Sequence, residues 1–324
     1  MIHTLALPTP FAVGRVNCYL IDDDPLTLVD TGPNSGKALD ALEAALREHG
    51  RRIEDLERIV LTHQHMDHLG LVGILARRSQ AEVVALDVLA PVVEDFRAYA
   101  ERDDELAGAL MLRNGIPRDV VTVLRSLSQA FRAWGGSAPV TRRLAEGNRL
   151  EFAGRRFEVL HRPGHSPSDT LFWDAEHELL IGGDHLLGQI SSNPLIQRPL
   201  GGRSGEPAGG RPRALLIYLE SLRATRELPA RTVLTGHGEP VTDHAGLIDE
   251  RFSMHERRAR KIAKLLAEQP RTAYEVAHAL WGNVAVTQAY LTLSEVLGHT
   301  DLLVERGQAR EVEVGGVVRY EACG

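Results

Sequence analysis

The sequence predicts an α/β fold carrying a helical insertion and a small C-terminal module. Three observations predict it. Strand-like and helix-like stretches alternate through the first 86 residues, a charged helical run over 88–143 interrupts them, and strand signals resume from 149 to 234 before the chain turns helical again. Alternation of this kind is what a sheet with helices laid on its faces requires.

The elements follow in chain order. Val16–Ile21 and Leu26–Val29 read as short strands around the Asp22-Asp23-Asp24-Pro25 turn, and Thr31-Gly32-Pro33-Asn34 breaks the chain. Ser35–Glu48 places Ala38, Leu39, Leu42, Ala45 and Leu46 on one helical face. Arg58–Leu61 is a third strand, Leu69–Arg78 a helix and Glu82–Leu86 a buried strand. Residues 88–143 form the helical insertion or lid, punctuated by Gly115-Ile116-Pro117 and Gly135-Gly136. Strands are expected at Arg149–Phe152, Arg156–Leu160, Thr170–Trp173, Glu178–Ile181 and Thr232–Leu234, with an apolar helix at Leu215–Leu222. Five glycines within 201–210 mark a loop, either a lid or a plain connection. From 244 onward, Leu247–Ala267 is a long helix and Thr272 with Glu275 forms a capping box opening a second. Val284–Leu297 is a third, with Gly298 as its expected stop. Arg310–Val314 and Val317–Glu321 flank Gly315-Gly316 as a hairpin. Three helices and a hairpin outline a winged helix, so the expected division is 1–243 and 244–324.

Composition closes several functional classes. At 324 residues with 43% apolar and 25% charged residues, the chain has the make-up of a water-soluble globular protein. Its longest apolar runs fall far short of the ~20 residues a membrane helix needs. Thr4, Pro8, Thr9 and Pro10 interrupt the apolar start, so no secretory signal is expected, and two cysteines make no disulfide framework. A cytoplasmic setting follows. A net charge of −7 disfavours a general polyanion binder.

Histidine is the unusual component, with 14 in the chain. Thr62-His63-Gln64-His65-Met66-Asp67-His68 directly follows a strand. Two histidines two apart on extended chain point to the same side and can hold one metal, while Asp67 and His68, at the start of the next helix, can turn toward a second. Three later segments supply more donors: Pro163-Gly164-His165, Gly182-Gly183-Asp184-His185 and Thr235-Gly236-His237-Gly238. Each contains glycine at a strand end, where a small residue lets the backbone approach closely.

These motifs, in this order across residues 1–240, resemble the metallo-β-lactamase superfamily. The resemblance implies an αββα sandwich with a dinuclear metal site between its sheets. It implies that His63, His65 and His165 bind one metal, that Asp67, His68 and His237 bind the other, and that Asp184 bridges them. Asp30, in Val29-Asp30-Thr31-Gly32, matches the family's aspartate that orients a ligand histidine. The ligand set is similar to that of glyoxalase II and the thioesterase, lactonase and phosphodiesterase branches. The antibiotic-hydrolysing enzymes place cysteine at the position of Asp184. Zinc is the expected metal, with iron or manganese as alternatives.

The expected chemistry is hydrolysis by a hydroxide bridging two cations, with Asp67 and Asp184 as the catalytic carboxylates. His185, Asn193 and Tyr218 are candidate substrate contacts, Tyr218 against a competing role in the core. His3, His49, His161, His177, His244, His255, His278 and His299 lack ligand spacing and read as structural.

The C-terminal outline is similar to the tail of the β-lactamase-like protein 2 branch, which sets a small-molecule hydrolase against a nucleic-acid-directed enzyme. Residues 244–324 carry 10 Lys or Arg against 11 Asp or Glu, and Val284–Leu297 contains no Lys or Arg. Such a helix is poorly equipped for phosphate contact. The expected substrate is therefore a small acyl thioester or lactone. An RNA or other phosphodiester is the alternative, and sulfur oxygenation at a single iron a third. No membrane partner is expected, and a homo-oligomer is left open.

Overall fold

In the computed structural model, which describes residues 1–201 and 211–323, two mixed sheets face each other across the main core. The first sheet runs β1 (Ile2–Leu7), β2 (Val16–Ile21), β3 (Thr27–Val29), β4 (Arg58–Val60), β5 (Glu82–Leu86) and β6 (Arg142–Leu144), in spatial order 1 to 6. Its first three strands pair antiparallel and the rest parallel. The second sheet holds β7 (Arg149–Glu151), β8 (Arg156–His161), β9 (Thr170–Asp174), β10 (Leu179–Gly183) and β11 (Thr232–Thr235). It is antiparallel except for the β10–β11 pair. Alternation explains β8: Phe157 and Val159 turn inward while Arg156 and Glu158 face water. β2 is buried along its whole length, as its run Val-Asn-Cys-Tyr-Leu-Ile suggests.

Helices cover these sheets and build the walls around one edge. α1 (Gly36–Glu48) is capped by Ser35 and buries Ala38, Leu42 and Leu46. The expected helix at Leu69–Arg78 is two: α2 (Met66–Leu69) and α3 (Val72–Ser79). Gly70 separates them, lying so close to Asn34 and Trp134 backbone that a side chain there would collide. Between β5 and β6 lie α4 (Ala90–Glu94), α5 (Phe96–Arg113) and α6 (Arg118–Phe131). α7 (Ala214–Arg226) precedes β11. The glycine-rich stretch read as a loop lies, from 202 to 210, outside the described residues.

The C-terminal segment departs from expectation at its third helix. α8 (His244–Glu268) and α9 (Ala273–Trp281) occur as read, and both halves of the Thr272–Glu275 capping box are formed. The next stretch, however, splits into α10 (Val284–Thr287) and α11 (Ala289–Glu305), and Gly298 sits inside α11 rather than ending it. The reason is packing. A Cβ at 298 would lie 2.7 Å from Cβ of Leu215 in α7, so glycine permits the two helices to touch. β12 (Ala309–Val314) and β13 (Val317–Ala322) form the hairpin. A second core joins Leu215 and Leu222 of α7, Ile262 of α8, Val296 of α11 and Tyr320 of β13, and reaches Leu110 and Met111 of α5. Twelve of the residues of α11 are buried, so that helix is a packing element with little free surface. No helix among the described residues is long and apolar enough to cross a membrane.

Candidate metal centre

Five segments bring their donors to one sandwich edge. The chain leaves β4, and His63 and His65 occupy the extended stretch before α2, which carries Asp67 and His68 in its single turn. His165 lies in the β8–β9 turn, Asp184 follows β10, and His237 follows β11. All seven side chains are buried except His65, which is half-buried.

The donors form two groups. His63, His65, His165 and Asp184 make one, and Asp67, His68 and His237 the other, with ligand atoms inside each within 4.8 Å of one another. His65 Nδ1 lies 3.0 Å from His63 Nε2 and 2.9 Å from His165 Nε2. Asp184 spans both groups: its oxygens lie 3.6 Å from His165 Nε2, 3.4 Å from His68 Nε2 and 3.4 Å from His237 Nε2. Asp67 Oδ2 is 3.4 Å from the same His237 nitrogen. Gly236 makes this convergence sterically feasible, because a Cβ there would lie 2.0 Å from Asp184 Oδ1 and 2.8 Å from the His68 ring.

Each histidine is held by its other nitrogen. His68 Nδ1 donates to Asp30 Oδ2 at 2.7 Å, His237 Nδ1 to the Arg15 carbonyl at 2.7 Å and His165 Nδ1 to the Asn193 carbonyl at 3.2 Å. His63 Nδ1 lies 3.0 Å from Thr62 Oγ, which itself donates to Asp30 Oδ2 at 2.7 Å. The Gln197 carboxamide sits 3.2 Å from His65 Nε2. The carbonyl and carboxylate partners of His68, His165 and His237 fix ring orientation and leave the inward nitrogen's lone pair free. Of them, sequence reading found only Asp30. Thr62 carried a signal in its place beside His63, whereas backbone carbonyls carry none.

Three imidazole nitrogens within 3.0 Å of a neighbour is the spacing of ligands around one small cation, since Zn–N bonds are ~2.0–2.1 Å long. His68 Nε2 and Asp184 Oδ1 are buried with no hydrogen-bond partner, which a bound metal would satisfy. The residues therefore fit divalent metals. Electrostatics point the same way. Burial pushes His63 and His65 down and His165 to about 3, helped at His63 and His165 by neighbouring histidines, so these rings are neutral ligands. Burial opposes charge at His68 and His237 too, but Asp184 together with Asp30 lifts His68, and Asp184 with Asp67 lifts His237 to about 9. The carboxylates thus create a place for positive charge.

Beside these donors opens a cavity of about 520 Å³, whose apolar walls include Phe11, Met66, Phe96, Tyr99, Leu187 and Leu291. Of the three candidate substrate contacts, Asn193 lines it. The other two face elsewhere. His185 is buried with Nε2 2.9 Å from Thr225 Oγ, and Tyr218 is buried with its hydroxyl donating to the His185 carbonyl at 2.7 Å. Both serve the packing beneath the site. A third donor group, His255, Glu295 and His299, lies between α8 and α11, where sequence reading expected only structural histidines.

The fold and the donor set together define a metallohydrolase. A model of the metallo-beta-lactamase superfamily matches residues 12–237, and the chain belongs to that family. It is 33% identical over 302 residues to a probable metallo-hydrolase, YqjP, of Bacillus subtilis, covering 93% of this chain and 92% of that one. It is 32% identical over 178 residues to a hydroxyacylglutathione hydrolase of Stenotrophomonas maltophilia, covering 55% of this chain and 48% of that one. Among solved structures, the metallo-beta-lactamase family protein TTHA1429 of Thermus thermophilus superposes with a TM-score of 0.79 at 29% identity, over 99% of this chain and 98% of that one. The chain is a metal-dependent hydrolase of this superfamily.

Proposed function

We propose that the chain is a dinuclear hydrolase of small ester-like substrates, an acyl thioester or a lactone. His63, His65 and His165 would hold one metal, Asp67, His68 and His237 the other, and Asp184 would serve both. Zinc is the metal we assign, because an all-His/Asp set in tight, buried geometry suits it. Bound metals would supply Lewis acidity and deprotonated water near neutral pH. The protein's own part is positional. Asp30 and Thr62 fix two ligand rings, Asp67 is placed beside His237 to accept a proton during turnover, and the cavity walls exclude water from an acyl group.

One observation carries the substrate reading: the cavity beside the donors is apolar, and Arg132, its one lining cation among the described residues, is already held by Asp104. A polynucleotide needs a positively charged track several nucleotides long. The partial likeness to a hydroxyacylglutathione hydrolase supports thioester chemistry. We read 1–243 as the catalytic domain with 88–143 as its lid, and 244–324 as a winged-helix-like tail that buttresses the site from a cytoplasmic enzyme's surface. The hairpin after α8, α9 and α11 supports the tail reading. The purified, metal-loaded enzyme should hydrolyse a thioester or lactone at least ~10-fold more efficiently, by kcat/KM, than single-stranded RNA, a preference of about 1.4 kcal/mol. RNA cleavage that is lost in His63→Ala, with no thioester or lactone turnover across a broad panel, would refute it.

A further inference from the structure

The cavity beside the metal donors holds one carboxylate that forms no ion pair among the described residues. Apart from the metal-donor side chains, its charged lining among the described residues is Asp103, Asp104 and Arg132. Two of these neutralise each other. Arg132 Nε lies 3.1 Å from Asp104 Oδ2 and Nη2 bonds the same oxygen, while Ser128 Oγ donates to Asp104 Oδ1 at 2.6 Å. Arg132 Nη1 is spent on Glu101 at 3.2 Å.

Asp103 is different. Its Oδ1 accepts the Arg198 backbone N–H at 2.7 Å, and no Lys, Arg or His among the described residues forms an ion pair with it. Its second oxygen accepts no hydrogen bond among the described residues. Burial, with the neighbouring Asp104 charge, lifts this carboxyl to about 6 although the Arg198 N–H and the Arg198 charge pull it down, the mark of a group deprived of water without a cation in direct contact. Holding one backbone N–H does not require a charge, since asparagine or serine would accept the same bond. Tyr99, four residues earlier on the same face of α5, lines the same cavity and adds an aromatic surface suited to a cation.

We propose that Asp103 is a specificity-determining residue that receives a primary ammonium group, or a comparable N–H donor, on the substrate, so that the enzyme selects amine-bearing esters and rejects anionic ones. This rests on the reading of the cavity as the substrate site. An apolar wall with one unpaired carboxylate is how a pocket orients a ligand that is greasy along its length and cationic at one end. The same charge repels a ligand carrying carboxylates or phosphates.

The test uses two probes of equal length, n-hexylammonium and 1-hexanol, titrated calorimetrically into the metal-loaded protein at pH 7.5. The ammonium should bind about tenfold tighter or better, the range for a hydrogen bond to a charged group. Asp103→Asn keeps an oxygen for the Arg198 N–H and should abolish the preference while leaving hexanol binding unchanged. Equal binding of the two probes to the wild-type protein would overturn the proposal, and that comparison stands whether or not the variant folds. A preference that survives in Asp103→Asn, as direct coordination of the amine by metal would give, would also overturn it. Failure to hydrolyse any ester, with the ammonium preference intact, would refute the hydrolytic substrate reading alone. Hydrolysis of neutral esters without that preference would refute the role of Asp103 alone.

Discussion

Replacing Asp30 by asparagine tests whether the rings around the metal centre are set from behind. Asp30 accepts three donors: the Thr62 N–H at 2.9 Å, the Thr62 hydroxyl at 2.7 Å and His68 Nδ1–H at 2.7 Å. The last fixes the His68 tautomer with its lone pair on Nε2, the atom 3.4 Å from Asp184. The second makes Thr62 Oγ a donor to Asp30 and so leaves its lone pair for His63 Nδ1–H. One carboxylate therefore orients a ligand in each donor group. In Asp30→Asn, the carboxamide oxygen keeps the Thr62 N–H and its NH₂ faces His68 Nδ1. That ring must then carry its proton on Nε2, where the metal lone pair is needed. Backbone strain does not change, because Asp30 sits at φ +60°, a region asparagine tolerates as well. Losses of this kind weaken metal affinity or activity by about 10–100-fold, or about 1.4–2.7 kcal/mol. The assay is zinc titration of metal-free protein against a chromophoric chelator, with kcat/KM measured in parallel and circular dichroism as the folding control. Two metals bound with wild-type affinity in a folded Asp30→Asn protein would refute the reasoning.

Three further outcomes are expected. Elemental analysis should find two metals per wild-type chain and fewer in Asp184→Ala, with activity falling beyond the ~100-fold ceiling of outer partners; a wild-type chain that never exceeds one metal would refute the dinuclear reading. Gly298→Ala should lower Tm, because overpacking against Leu215 costs about 1–3 kcal/mol and exceeds the ~1 kcal/mol gained in helix propensity; an unchanged or higher Tm would count against that contact. Burial, reinforced at His255 by His299, depresses both these histidines to about 4. Each is then neutral when folded but protonates near 6.5 when unfolded, so the stability they contribute is complete above pH 6.5 and lost as pH falls toward 4. NMR titration of the two rings should show no midpoint between pH 6 and 7.

Much of the fold was legible because it rests on patterns that only one arrangement satisfies. Val83–Leu86 is an unbroken apolar run with both faces buried, and Thr272 with Glu275 is a two-residue signature whose bonds formed as read. β6 was not legible. Arg142 and Arg143 lie at a sheet edge, where charged side chains protect unpaired backbone, and only Leu144 is buried. A sequence has no apolar signal to give for such a strand. Gly298 misled for a related reason: glycine that ends a helix and glycine that lets two helices touch are the same letter, and only Leu215, 83 positions earlier, distinguishes them.

The candidate site divides along the same line. Coordination restricts residue type, so four His and Asp side chains within His63–His68 and three beside glycines at strand ends stand out, whereas the carbonyls of Arg15 and Asn193 that hold two of those rings are invisible in any sequence. Residue type alone is still not sufficient, as His255, Glu295 and His299 show. There the His299 Nδ1–H is engaged by the Glu295 carbonyl, His255 Nδ1 faces His299 Nε2 at 3.2 Å, and Arg258 Nη1 holds Glu295 Oε1 at 3.0 Å. An arginine already neutralises the carboxylate, so this group lacks the surplus negative charge that Asp184, Asp67 and Asp30 give the metal centre. Asp103 makes the converse point. It is one acid in the mixed run Glu101-Arg102-Asp103-Asp104-Glu105; Glu101 and Asp104 pair with Arg132, while Asp103 forms no ion pair among the described residues. Helix phase turns it toward the cavity, and the backbone at Arg198 closes over one oxygen and leaves the other free. What a hydrolase of this family does to a bond is therefore written in residue types, whereas the charge balance of its cavity appears only when every partner has been placed.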